Sequence, residues 1–272
     1  MHVWPVLPIY AGIIIGLVFV FDPRVAPLPD GWDDIVSTAV AATAVLVWWF
    51  RSVRPRGVPV RDMLGARLDA RGWALAVALV LSVVIVKYAL IVAIMALYGE
   101  PPSLLEPRSP ATSVALEGVP LWVTLFCEVI LIPITEEIVF RGTLFRKWRL
   151  RWGAGKAAIA SSVAFGLLHQ NVLTSSLSGL VYVTFYARTR TLWACIAIHV
   201  LNNGFAQLTR LDGAVERAKS IVVSLSSGPA AVGCALLGVV VTAWLALFIR
   251  SGWRTLDARL PPEGSPRPSP SA

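Results

Sequence analysis

Charge is what this sequence has least of. Only 15% of its 272 residues are Asp, Glu, Lys or Arg, while 56% are hydrophobic and the mean hydropathy is +0.70. A soluble domain carries nearer a quarter charged residues, so the composition excludes an ordinary soluble enzyme and indicates a chain solvated largely by lipid. Cysteine is scarce too. Cys127, Cys195 and Cys234 are odd in number, lie inside apolar stretches and fit no metal knuckle, so buried free thiols are expected rather than a disulfide frame. The net charge of +8 does not imply nucleic acid. Most Lys and Arg residues lie in short stretches between apolar runs, where topology signals sit, and anionic lipid is the expected partner of that charge. The metalloprotease sequence His-Glu-x-x-His is missing, as are a fixed-period repeat and a soluble domain.

What the chain does have is apolar runs. They cover 3–21, 35–50, 73–98, a stretch from 119, then 157–169, 172–187, 192–208 and 221–249. They predict an all-α polytopic membrane protein of about eight transmembrane helices. Residues 1–260 read as a single integral membrane domain and the Pro/Ser-rich 261–272 as a disordered tail. The first run has no basic flank and is too long for a signal peptide's core, so a retained helix is expected. Loop charges set the orientation. The basic stretches 51–71, 146–156, 188–190 and beyond 250 belong in the cytoplasm, and the acidic loops 22–34 and 99–118 outside. Only 209–219 leans the other way. Both termini are then cytoplasmic, in what is expected to be a bacterial inner membrane.

Two adjacent carboxylates interrupt this apolar background, at Thr135-Glu136-Glu137-Ile138-Val139-Phe140-Arg141. Ionisable residues in a membrane span are costly and usually functional. Helical neighbours point about 100° apart, so the two glutamates serve different ends. Glu137 and Arg141, four apart, share a face and form an ion pair that braces the helix, leaving Glu136 to face elsewhere. Farther on, Phe165 precedes His169 by four, and His199 precedes Asn203 by four. Counting about 1.5 Å per residue from the nearest basic edge puts Glu136, His169, His199 and Asn203 about 14 to 20 Å deep, in one layer. Polar groups at matched depth on three helices should face one another, because facing lipid leaves them unsatisfied. Each residue alone could be interhelical glue; their coincidence favours a site.

A carboxylate, two imidazoles and an amide suit hydrolysis by activated water. Glu136 would be the general base, His169 would orient the water, and His199 with Asn203 would donate to the oxyanion. The preferred reading requires no cofactor. The spacing still leaves open a divalent metal such as zinc, held by Glu136, His169 and His199. Lys87 and Glu128 are further charges inside spans, and whether they pair with each other or with other groups is open.

Glu136-Glu137-x-x-x-Arg141, Phe165-x-x-x-His169 and His199-x-x-x-Asn203 resemble, in order, the three motifs of the CAAX-processing and bacteriocin-processing protease (CPBP, or ABI) family, which includes the Ras-converting CAAX endopeptidase. The resemblance covers a core of about 119–208. It implies an all-helical intramembrane endopeptidase acting on membrane-associated, lipidated or CAAX-like peptides, with a cavity open to the cytoplasmic side. It also implies that Glu136 and His169 activate water beside an oxyanion hole of His199 and Asn203. The partners implied are a membrane peptide or protein substrate and the bilayer, with no nucleic acid. The rival expectation is a non-catalytic scaffold or bacteriocin self-immunity protein that keeps the motifs for packing. A transporter is a third, but no internal repeat supports it.

Overall fold

The computed structural model describes residues 32–53, 63–98, 119–169, 171–208 and 214–259. The expected span at 3–21, the acidic loop 99–118, nearly all of the loop 22–34 and the tail 261–272 lie outside the described residues, as does the first part of 209–219.

Every element among the described residues is helical. In chain order they are α1 (Trp32–Trp48), running into a π-helical turn at Trp49–Val53, and α2 (Ala70–Tyr98). Next comes an unbroken rod made of α3 (Leu121–Leu125), a π stretch (Phe126–Leu131), α4 (Ile132–Val139), a second π stretch (Phe140–Phe145) and α5 (Arg146–Trp152). Then follow α6 (Ala154–Leu167), α7 (Val172–Thr189), α8 (Leu192–Leu208), α9 (Ala214–Leu225) and α10 (Gly228–Arg259). Two of these, Ala70–Tyr98 and Gly228–Trp253 within α10, are long and apolar enough to cross a membrane by length and composition.

The C-terminal part differs from the expected single run at 221–249. Ser226-Ser227-Gly228-Pro229 breaks it: Gly228 adopts φ +58°, which L side chains disfavour, and Pro229 opens the next helix without needing an N–H. The sequence before the break forms α9 as its own helix. Gly153, at φ +78°, does the same between α5 and α6, turning the basic end of the rod into the next helix.

The core lies where the rod meets α2, α6, α7 and α8. Val139, Phe140, Leu144, Phe165, Tyr182, Phe185 and Ile198 share one buried cluster with Leu79 of α2. On the rod's other flank, Ile138 and Phe145 pack with Ala157, Ala158, Val183 and Cys195. Small residues set the spacing of α6 and α7. A Cβ on Gly166 would come 2.0 Å from the Ser176 hydroxyl and 2.5 Å from the Val172 carbonyl, so the backbones approach as closely as small-residue membrane interfaces allow.

Candidate active site

The acidic pair sits at the middle of the rod, with a wide π turn before and after it. Residues Thr135 to Val139 of α4 are buried. In the second π stretch the Thr143 hydroxyl donates to the Ile138 carbonyl five residues back, at 3.0 Å, and accepts from the Trp49 indole N–H, also at 3.0 Å. π turns widen a helix locally and re-aim the side chains around them, and they concentrate at functional sites.

Glu137 and Arg141 both have zero exposure. Arg141 Nη1 donates to Glu137 Oε1 at 2.8 Å, and Nη2 donates to the Gly179 carbonyl of α7 at 3.0 Å. The guanidinium carbon lies 4.7 Å from the centre of the Phe165 ring and 5.3 Å from that of Tyr182. A buried cation needs this: a paired carboxylate, a carbonyl and aromatic faces replace the lost water. The same Glu137 oxygen takes a second hydrogen bond, from His199 Nδ1 at 2.9 Å. Glu137 therefore does more than brace its own helix, as the sequence suggested; it ties α4 to α8 and orients an imidazole.

That contact assigns a tautomer. A carboxylate oxygen held by Arg141 only accepts, so His199 Nδ1 carries hydrogen, and in the neutral ring Nε2 presents a lone pair. His169 is fixed the same way from the end of α6: its Nδ1 donates to the Phe165 carbonyl at 2.7 Å, and its ring lies against Phe165 with centroids 4.3 Å apart. Both Nε2 atoms face Glu136 Oε2, at 3.8 Å from His169 and 3.7 Å from His199. Phe165 is thus the common wall, touching His169, His199, Tyr182 and Arg141.

Glu136 is 7% exposed, and its Oε2 is buried with no hydrogen-bond partner. Its gaps to the imidazoles are too long for direct hydrogen bonds, yet short enough for a single water to touch the carboxylate and a ring nitrogen together. The His169 side chain is 31% exposed, against 3% for His199, so His169 marks the side from which a molecule reaches Glu136.

The structure brings three of the four expected reacting side chains together. The fourth, Asn203, lies one turn beyond His199 on α8, and its Nδ2 donates at 2.9 Å to the Glu128 main-chain carbonyl of the rod. One amide hydrogen is thereby spent on positioning and the other is left for a ligand. Gln207, one turn farther, donates through Nε2 to the Glu128 carboxylate. Sequence reasoning missed Gln207, although it continues the four-residue step of His199 and Asn203. It also missed Tyr182, which lies against His199 with centroids 5.1 Å apart. Nothing but membership of an apolar run marked that tyrosine. Among the described residues, no group of three or more His, Cys, Asp or Glu side chains stands in a metal-holding arrangement.

Residues 118–205 match the family described as type II CAAX prenyl endopeptidase Rce1-like. The chain is 31% identical over 100 residues to YdiL of Bacillus subtilis (strain 168), a membrane peptidase by name only; the match covers 36% of this chain and 40% of YdiL. The chain thus spans less than half the length of the curated relative it matches. No solved structure matches it. The stretch similar to the Rce1-like CAAX prenyl endopeptidase family is the one that holds Glu136, Arg141, His169, His199 and Asn203.

Proposed function

We propose that the protein is an intramembrane endopeptidase of about eight spans that hydrolyses peptide bonds of membrane-associated, CAAX-like substrates with water activated by Glu136 and His169. One observation carries this reading: a buried carboxylate oxygen without a partner, faced by two imidazole nitrogens whose other nitrogens are already committed. Glu137 Oε2 and Arg141 Nε are also buried without partners, so the open oxygen alone does not decide; the two imidazoles facing it do. A buried acceptor left open beside two aimed rings suits an incoming water and carbonyl.

In this mechanism Glu136 takes a proton from a water that lies between it and the Nε2 lone pair of His169. The hydroxide attacks the scissile carbonyl, and Glu136 passes the proton it took to the amide nitrogen, which leaves as the amine when the C–N bond breaks. His199 Nε2 accepts in the neutral ring and donates only as imidazolium, so its part in stabilising the oxyanion requires the protonated ring. The free amide hydrogen of Asn203 is the second donor. No metal takes part in any of these steps.

An apolar groove of about 770 Å³ lies between α2, the rod and α8. It is lined by Val80 of α2, by Leu125, Phe126 and Val129 of the rod, and by Leu201 and Gly204 of α8, among others. We assign it to apolar groups of the substrate, entering where Gly204 leaves α8 without a side chain.

The test uses purified protein in liposomes with a reporter ending in a CAAX sequence, offered prenylated and unprenylated, with products identified by mass spectrometry. Wild type should cut one or both, with and without EDTA, and Glu136→Gln should cut neither. A wild type that cleaves nothing, or a Glu136→Gln protein that cleaves as well as wild type, overturns the reading.

A further inference from the structure

Asn203 is held by a carbonyl that an uninterrupted helix would keep for itself. In an α-helix the Glu128 carbonyl would accept from the N–H of residue 132, and in a π turn from that of residue 133. Ile132 N–H donates instead to the Cys127 carbonyl, in the wide register of the Phe126–Leu131 stretch. Position 133 is proline, which has no N–H to give. Neither backbone donor is available, and the Nδ2 of Asn203 takes the Glu128 carbonyl at 2.9 Å.

We propose that Pro133 is a positioning residue for the site: by withholding a backbone N–H inside the membrane, it hands the Glu128 carbonyl to Asn203. The bilayer interior offers no water to satisfy that carbonyl, so the side chain from α8 is drawn to it. Gln207 secures the same residue from one turn away through the Glu128 carboxylate. With His199 on Glu137, three side chains of α8 at four-residue steps grip two glutamates of the rod. The axial setting of α8, and with it the aim of His199 and of the second Asn203 hydrogen, then follows from a missing N–H on another helix.

The kinetic half of this inference rests on the protease reading above; the contact itself does not. The chain has three asparagines, Asn171, Asn202 and Asn203, so ¹⁵N-asparagine labelling gives a simple side-chain amide spectrum in which Asn203→Asp identifies the Asn203 signals. Pro133→Ala restores the missing N–H and a good helix former. The expected results are a melting temperature equal to or above wild type, an Asn203 amide signal moved toward that of a solvated amide, and a kcat lowered about tenfold with KM within about twofold. A purely structural proline would give the reverse pattern, with lowered stability and no separation of kcat from KM. An unmoved Asn203 signal, or an unchanged kcat, overturns the proposal. Should Pro133→Ala fail to accumulate in membranes, Pro133→Val, which also restores the N–H and lies nearer to proline in volume, carries the test: the Asn203 signal should shift and kcat fall, and an unmoved signal again overturns it. If wild type shows no proteolysis, the amide signal still decides the contact while the protease reading falls.

Discussion

Glu136 and Glu137 are neighbours of the same chemistry in the same buried helix, and the fold treats them in opposite ways. Glu137 Oε1 receives Arg141 and His199 and joins two helices. Each carboxylate keeps a second oxygen, Oε2, that is buried and receives no hydrogen bond, but only that of Glu136 has two imidazole nitrogens standing within 4 Å of it. The hundred-degree turn between adjacent helical positions is enough to separate them: one side of α4 faces the Arg141 cage, the other an accessible edge by His169. The comparison teaches that burial of a carboxylate says little alone. What matters is what stands opposite its open oxygen, which for Glu136 is two imidazole nitrogens on an accessible edge. Glu136→Gln should therefore produce the largest split between activity and stability, with a loss of about a thousandfold or more in turnover and an unchanged or slightly raised melting temperature. A parallel fall in both would place Glu136 with Glu137 as a brace.

Arg141 sharpens the same contrast from the satisfied side. Arg141→Leu removes the partner of a fully buried carboxylate and the donor to the Gly179 carbonyl. Leaving Glu137 unpaired should cost about 3 to 5 kcal/mol, seen as a lowered midpoint in thermal unfolding of the detergent-solubilised protein. Activity should fall with it, because His199 loses the fixed acceptor that orients it. A variant with wild-type stability would mean that the cage holds less than its geometry implies.

The all-helical outline and the meeting of Glu136, His169 and His199 were legible in the sequence because both rest on helical periodicity. Apolar runs at 35–50, 73–98, 172–187 and 192–208 became α1, α2, α7 and α8 with ends shifted by a few residues. Four-residue spacing and matched depth brought Glu136, His169 and His199 together before any coordinates did. The π turns were not legible, because widening by one residue leaves hydrophobicity unchanged; only Pro133 hinted at one. The break at Gly228 was marked by Ser-Ser-Gly-Pro and was overridden by the apolar content on both sides. The second role of Glu137 was hidden for another reason. A four-residue step names the partner on the same helix, Arg141, and is blind to a third helix crossing the pair. Gly179 stood out only as a small residue four beyond Ser175. Its use as a carbonyl acceptor and close-contact point for Arg141 needed the fold.

Two glycines carry the comparison into smaller effects of opposite sign. A Cβ on Gly179 would lie 3.1 Å from Ser162 Cα and 3.2 Å from Arg141 Nη2. Both neighbours are fixed, one as backbone and the other as half of the buried ion pair. Gly179→Ala should cost about 1 to 3 kcal/mol from overpacking, more than alanine's gain in helix propensity, and should lower activity by pushing the guanidinium from Glu137.

Gly204 faces the apolar groove, and a Cβ there would meet only Val129 Cγ1, at an ordinary 3.7 Å. Gly204→Ala should therefore stabilise α8 by about 0.5 to 1 kcal/mol, read as a higher melting midpoint with turnover intact. Gly204→Leu extends the test from stability to recognition, because its added carbons project into the groove while the helix keeps its gain. If the groove takes an apolar group beside the scissile bond, KM for substrates bulky at that place should rise about tenfold, while kcat for small ones stays near wild type, since Asn203 and His199 keep their partners on the rod. If KM is instead indifferent to leucine, the groove serves lipid alone and substrate reaches Glu136 by the exposed edge of His169.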